Sequence, residues 1–405
     1  MKDTGATPRP DVPDPPLARE PIRQLPASRI REVANAGMGL DDVLAFWFGE
    51  PDLVTPAFIR EAAKHALDAG DTFYRHNLGI PALRDELAAY VSRLHAPRGA
   101  APVGASRIGV TSSGVNALML AAQLLVGHGD RVVAVVPLWP NVTAIPEILG
   151  ARVERVALHV DAATQRWALD IDRLLAAITP ETRAVIVNSP SNPTGWVMPR
   201  EQMAALLAHC RRIGCWIISD EAYERLVFDG TALAPSMLDL CDPLDRLIVA
   251  NTFSKSWQMT GWRLGWLVVP EPVADDLGKL VEFNTSCAPG FVQQAGVVAL
   301  REGEHCVRSF VDLLHARRDA LVSALRAIPG VQVAEPEGAM YAFFRVQGAD
   351  DSLALAKALV SRQRLGLAPG VAFGDEGEGF LRWCFAKPVD ALLAGVQRLR
   401  EHLLR

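Results

Sequence analysis

Residues 251–266 read NTFSKSWQMTGWRLGW and set a single lysine, Lys255, among small and aromatic residues. The stretch follows the apolar run Leu247-Ile248-Val249-Ala250, and Arg263 stands further on between Gly261 and Gly265, where a backbone can approach a ligand closely. A lysine that acts as a nucleophile has to lose its proton near neutral pH, and desolvation beside a second cation lowers its pKa in that direction. Taken alone, Lys255 also reads as a solvated lysine at a strand end, the commoner case. Its neighbours along the chain separate the two readings.

Around this stretch, from about residue 107 to 270, short β-rich runs alternate with helical patterns. The runs are 108–110, 132–136, 153–158, 184–187, 216–219, 247–250 and 264–269, with helical periodicity between them, as over 117–125 and 202–211. The alternation predicts an α/β architecture: a mainly parallel seven-stranded sheet covered by helices. Ligands of such sheets lie beyond the carboxyl ends of the strands. After about residue 291 the pattern changes to a long helical stretch over 295–327, strand-like pieces near 331–333 and 340–346, then helix, Gly-rich turn, strand and a last helix. This predicts a smaller α+β domain, made of 28–57 and 292–405, beside a large domain over 58–291.

The 405 residues are 50% hydrophobic and 21% charged, the balance of an ordinary globular protein with ample core material. Acidic residues outnumber basic ones 46 to 41, so the net charge of −5 gives no electrostatic reason to expect nucleic acid. The six cysteines are scattered, with no CxxC pair and no zinc-spaced histidines, and HExxH does not occur. Reduced thiols of a cytoplasmic protein and no metal site are therefore expected. Residues 1–27 are rich in proline without an apolar stretch, which predicts an extension and neither a signal peptide nor a membrane span.

Three polar segments and one aromatic residue follow the predicted strands. Thr111-Ser112-Ser113-Gly114-Val115-Asn116 leads into an apolar helix, and free N–H groups at such a start suit a phosphate, although Ser and Gly there also serve as a plain N-cap. Trp139, after the next strand, is an aromatic suited to stacking on a planar ring or to the core. Asn188-Ser189-Pro190-Ser191-Asn192-Pro193-Thr194-Gly195 is a turn-dense loop. Ser219-Asp220-Glu221-Ala222-Tyr223 places a carboxylate at the end of a buried strand, which is unfavourable unless a cation partners it. A protonated pyridine nitrogen is such a partner.

In order and approximate spacing, these segments together with Lys255 and Arg263 resemble the class I/II aminotransferases, pyridoxal-phosphate enzymes of fold type I. The likeness runs from about residue 44 to 386. It includes Gly49-Glu50-Pro51-Asp52, Tyr74 in Thr72-Phe73-Tyr74, Gly338-Ala339-Met340-Tyr341, the glycine-rich 369–374, and Phe380-Leu381-Arg382-Trp383. One departure is Ser189, where the family's NP-x-NPTG loop usually has its first asparagine; another is Thr252, commonly serine.

The resemblance implies pyridoxal 5′-phosphate as cofactor and ping-pong transamination between an amino acid and a 2-oxo acid. It implies Lys255 as the Schiff-base lysine, Asp220 against the pyridine nitrogen, Asn192 and Tyr223 at the phenolic oxygen, and Trp139 on the ring. For the phosphate it implies Ser113, Gly114, Val115, Thr252 and Arg263, with Tyr74 reaching in from the other subunit of a homodimer. For the substrate carboxylate it implies Arg382, bordered by Gly49. A β-lyase or an aminocyclopropane-carboxylate synthase of the same fold uses nearly the same constellation. A regulator built on this fold would carry a winged helix ahead of it, and residues 1–27 show no such pattern. The segment 284–291 lacks the arginine that dicarboxylate-specific relatives add, and Phe46, Trp47, Phe48 and Trp139 favour an apolar or aromatic side chain.

Overall fold

The computed structural model of the protein describes residues 17–404. Most of the proline-rich extension expected over 1–27 lies outside the described residues. Its later part includes one helical turn, Glu20–Arg23, which packs near the helix Pro140–Ile148.

Each of the seven apolar runs forms a strand of one sheet: β1 (Ile108–Thr111), β2 (Arg131–Val136), β3 (Arg152–Ala157), β4 (Thr182–Asn188), β5 (Trp216–Asp220), β6 (Leu247–Thr252) and β7 (Gly265–Val268). Their order across the sheet is β1-β7-β6-β5-β4-β2-β3. β2 to β6 pair in parallel, while β7 runs antiparallel between β1 and β6. The inner strands read as apolar runs because helices cover both faces, with β6 buried along its whole length, while the edge strand β3 (RVERVA) is largely exposed. Register sets Asn188 beside Asp220 and Asp220 beside Ala250, so β4, β5 and β6 bring their polar ends out together.

A second, antiparallel sheet contains β8 (Val331–Val333), β9 (Tyr341–Val346), β10 (Ala368–Pro369) and β11 (Phe380–Cys384) in the order β8-β9-β11-β10. The segment before residue 57 contacts elements that lie beside this sheet. Leu44–Ala45 pairs in parallel with Leu365–Gly366, and the helix Arg29–Ala36 packs on the helix Ser352–Gln363. The single helix expected over 295–327 is instead two, Gly290–Glu302 and Glu304–Arg326. Gly303 sits at the break, where an added Cβ would lie 2.4 Å from the Ala299 carbonyl and 2.8 Å from the Trp257 ring. Among the described residues no helix is long and apolar enough to cross a membrane.

The lysine stretch is anchored by its aromatic residues. Phe253, Trp257 and Trp266 pack with ring centroids 5.0 to 6.5 Å apart, which buries both sides of the turn that carries Lys255. Gly265 opens β7 where a Cβ would meet only backbone: Ser113 C at 2.7 Å, Asn251 O at 2.8 Å and Gly114 N at 2.8 Å. None of these can swing aside as a side chain does. Gly265→Ala is therefore expected to lower unfolding stability by about 1–3 kcal/mol. Gly261→Ala, with nothing within 4 Å, should stay within about 0.5 kcal/mol. Denaturant titration of both variants measures the difference.

Candidate active site

A cavity of about 600 Å³ opens where the ends of β4, β5 and β6 face Tyr341 and Arg382 of the second sheet. Of the residues given a role from sequence, all line it except Ser113, Tyr74 and Phe46.

At one end stands the helix Gly114–Leu125. Ser113 closes its first turn through its side chain, accepting from Asn116 N at 3.0 Å, and its carbonyl accepts from Thr111 Oγ1 at 2.9 Å. Gly114 and Val115 line the cavity with N–H groups that have no intrahelical carbonyl to meet. A Cβ on Gly114 would lie 3.1 Å from Thr252 Cβ, so glycine lets the helix start press against the end of β6. Arg263 faces the same end from a left-handed backbone position (φ 55°) and gives one donor to Thr260 O at 2.6 Å. Burial pushes its pKa down. The chemistry of this end is that of an anion site.

In the middle, Asp220 ends β5 with 6% exposure. Burial pushes its carboxyl up to about 6, against the opposing pull of the Ala222 N–H at 3.2 Å and of Lys255. The turn that follows is held from beneath. Glu221 accepts from Ser219 Oγ at 2.8 Å, Ser236 Oγ at 2.6 Å and Met237 N at 3.2 Å. Trp139 lines the wall with its N–H on Asn192 O at 2.9 Å, and the Asn192 N–H reaches Asn188 Oδ1 at 2.9 Å. Tyr223 and Tyr341 bring their hydroxyls to 2.7 Å.

Lys255 Nζ donates to Gly49 O at 2.7 Å and lies 5.6 Å over the Tyr223 ring. Burial lowers its pKa to about 8; Arg382 and Arg263 push the same way, against Cys384 and Glu50. Arg382, 2% exposed, donates to Asn192 Oδ1 at 3.1 Å and to Trp47 O. Its guanidinium lies 4.6 Å over the Tyr341 ring and 4.9 Å over that of Phe373, and its Nε has no partner.

The structure corrects one aromatic expectation and adds residues to the site. Tyr74 does not line its own chain's cavity and is 89% exposed. Phe46 is part of the core, 4.8 Å from Trp383, leaving Trp47, Phe48 and Trp139 as the aromatic lining. Tyr341, Glu50, Asn188 and Arg31 also line the cavity although sequence reasoning gave them no role. Tyr341 carried a signal, since it ends the quoted Gly338-Ala339-Met340-Tyr341; Arg31 carried none. Among the described residues no cluster of His, Cys, Asp or Glu is arranged to hold a metal ion.

Comparison with known proteins agrees with this geometry. The family "Aminotransferase class I and II" matches residues 41–399. The aspartate aminotransferase of Pyrococcus horikoshii is 31% identical over 387 residues, 95% of this chain and 96% of that protein. An aromatic-amino-acid aminotransferase of Thermococcus litoralis is 30% identical over 93% of this chain and 95% of its own length. The crystal structure of aspartate aminotransferase from Thermotoga maritima superposes with a TM-score of 0.88 at 31% identity, covering 96% of this chain and 100% of that one. The chain belongs to the class I and II aminotransferases, pyridoxal-phosphate-dependent enzymes that move an amino group between an amino acid and a 2-oxo acid.

Proposed function

We propose that the cavity binds pyridoxal phosphate with its phosphate on Ser113, Gly114, Val115, Thr252 and Arg263, its ring nitrogen on Asp220, its phenolic oxygen at Asn192 and Tyr223, and its ring face on Trp139. The donor set suits that group. An anion site lies at one end, a buried carboxylate short of a cation at mid-wall, and beside them an amine whose pKa burial has lowered to about 8. The observation that carries the reading is the position of Lys255 Nζ, 2.7 Å from Gly49 O in the same cavity as Asp220 and Arg382. We further propose the division into a large domain over 58–291 and a small one from 28–57 and 292–405, which sets Arg382 on one unit and Lys255 on the other.

Bound in this way, the cofactor supplies an electron sink for the charge left at the substrate Cα when its proton departs. Lys255 Nζ takes that proton and returns it, as a general base and then a general acid. Arg382 orients the substrate by its carboxylate. Its two bonds to neutral oxygens and its unpartnered Nε leave donor capacity for the stronger, charge-assisted acceptor. Gly49, in the same cavity as Arg382, borders that carboxylate, and the Tyr341 hydroxyl leaves no room for a side chain there. One amino acid leaves as its oxo acid before a second oxo acid enters. Trp47, Phe48 and Trp139 support a preference for apolar or aromatic side chains.

Mixing the holoenzyme with an amino donor in the absence of any oxo acid should convert its visible absorbance stoichiometrically and release one equivalent of 2-oxo acid. Lys255→Ala should stay folded, bind cofactor without that absorbance and fail to turn over. Near-native turnover in Lys255→Ala would overturn the assignment.

Attachment of the cofactor needs Lys255 neutral. With its pKa lowered from 10.5 to about 8, the neutral fraction rises about tenfold per pH unit below 8 and is complete above it. The rate of reconstitution of the cofactor-free protein should follow that curve and level off between pH 8 and 9. A rate still climbing at pH 10 would mean an ordinary solvated lysine.

We propose a homodimer in the cytoplasm, where six unpaired cysteines remain reduced. Phe73 and Tyr74 are 78% and 89% exposed, and Phe283 is 91% exposed, more large apolar surface than a monomer ordinarily leaves in water. These segments adjoin, since Arg75 N reaches Cys287 Sγ at 3.3 Å and Asn77 Nδ2 reaches Gly278 O at 2.9 Å. They also adjoin the phosphate end, where Asn116 Nδ2 donates to Asn284 Oδ1 at 2.9 Å. Such placement suits a Tyr74 that reaches the phosphate of the neighbouring subunit across a two-fold axis. Mixing Lys255→Ala with Tyr74→Ala chains should then generate hybrids with one intact site and activity well above either parent. No gain on subunit exchange would place Tyr74 in its own chain's site or in none.

A further inference from the structure

Tyr341 begins β9, is 1% exposed, and touches both halves of the site. Its hydroxyl lies 2.7 Å from that of Tyr223, with the two rings edge to face at 5.8 Å and 80°. Its ring face carries the Arg382 guanidinium at 4.6 Å. The register explains the second contact. Tyr341 pairs with Cys384 and Phe343 with Arg382, so Tyr341 and Arg382 are diagonal neighbours on one face of the sheet.

Each phenol has one proton to donate. Burial raises both pKa values, so both hydroxyls stay neutral at working pH. Among the described residues neither hydroxyl has another hydrogen-bond partner than the other. Two hydroxyls at this distance share a single proton between them. If Tyr223 gives its own proton to an oxygen of the bound cofactor, the bond between the phenols must run from Tyr341 to Tyr223. A donor that itself accepts a hydrogen bond is polarised and donates more strongly.

We infer that Tyr341 is a positioning residue for transamination: its hydroxyl donates to Tyr223 and fixes Tyr223 as the donor to the cofactor's phenolic oxygen, while its ring supports the Arg382 guanidinium. The inference rests on the placement of Tyr223 proposed above. It links the part of the site that holds the substrate carboxylate with the part that governs the proton on Lys255 Nζ. A hydrogen bond given to the phenolic oxygen withdraws charge from it and weakens its hold on that proton. Weakening the donor therefore raises the pH at which Lys255 Nζ releases the proton.

The test is a pH titration of the visible absorbance of the holoenzyme, run beside steady-state kinetics. Tyr341→Phe keeps the ring and removes only the hydroxyl, and should move the midpoint upward by about half a unit, the size of one neutral hydrogen bond. Tyr223→Phe should move it further in the same direction. The double variant should match Tyr223→Phe alone, because Tyr341 acts through Tyr223. KM for the amino donor should stay within about twofold in Tyr341→Phe, whereas Tyr341→Leu should raise it roughly several-fold by removing the ring beneath Arg382. A Tyr341→Phe titration identical to wild type, while Tyr223→Phe shifts, would overturn the inference and leave the Tyr223 placement intact. Additive shifts in the double variant would overturn it equally. No shift in Tyr223→Phe would remove the Tyr223 placement and this inference with it. If Tyr341→Leu fails to fold, the shape-preserving Tyr341→Phe titration still decides.

Discussion

Arg382 is a cation with almost no access to water, and a buried guanidinium is tolerable only when several parts of the chain converge on it. Here they do. Trp47 offers a carbonyl from the segment before the large sheet, Asn192 a side-chain oxygen from the loop after β4, and Tyr341 and Phe373 two ring faces from the second sheet and its glycine-rich turn. Satisfying that charge fixes how the two sheets meet. The residues that hold the cation thereby become the walls of a cavity with the strand ends as its floor.

The charge balance of that cavity follows. Lys255, Arg263, Arg382 and Arg31 line it against Asp220 and Glu50. An excess of cations around one cavity suits ligands that arrive with negative charge, such as a phosphate at one end and a carboxylate at the other. Asp220 is the counter-example that gives the site its polarity. It stands alone on the wall between the anion-seeking ends, where a cationic ring atom is the complementary group.

The large sheet was legible because its inner strands are buried on both faces and so appear as apolar runs, while the edge strand Arg152–Ala157 carries charged residues among its valines. Every one of the seven runs became a strand, and the polar ends at Asn188, Asp220 and Thr252 came together because parallel pairing aligns them. Glycine-opened Ser113–Val115 and the lysine turn were legible for the same reason, since each directly follows a strand. Long-range contacts were not. Nothing local marks Tyr341 as the partner of Tyr223 across 118 positions, or Gly49 as the acceptor for Lys255 across 206. Nothing local shows that Gly303, within a continuous helical periodicity, lies against the Trp257 ring. Phe46 reads like its aromatic neighbours, yet it packs on Trp383 in the core.

The site is also strained in its charges. Asp220 has its pKa raised from 3.8 to about 6, so folding binds a proton that the unfolded chain releases, and stability falls as pH rises through that window. Lys255 has its pKa lowered from 10.5 to about 8, so stability is diminished below 8 and regained only as pH rises toward the unfolded value. At neutral pH both groups sit on the unfavourable side of their windows, each worth about 3 kcal/mol at 1.36 kcal/mol per unit. A ligand that gives Asp220 a cation and takes Lys255 into a bond relieves both burdens at once. That relief is free energy available only when the right group is bound. On the binding mode proposed above, the two desolvated charges would find their partners in the cofactor, which would link the open cavity to the charges that line it.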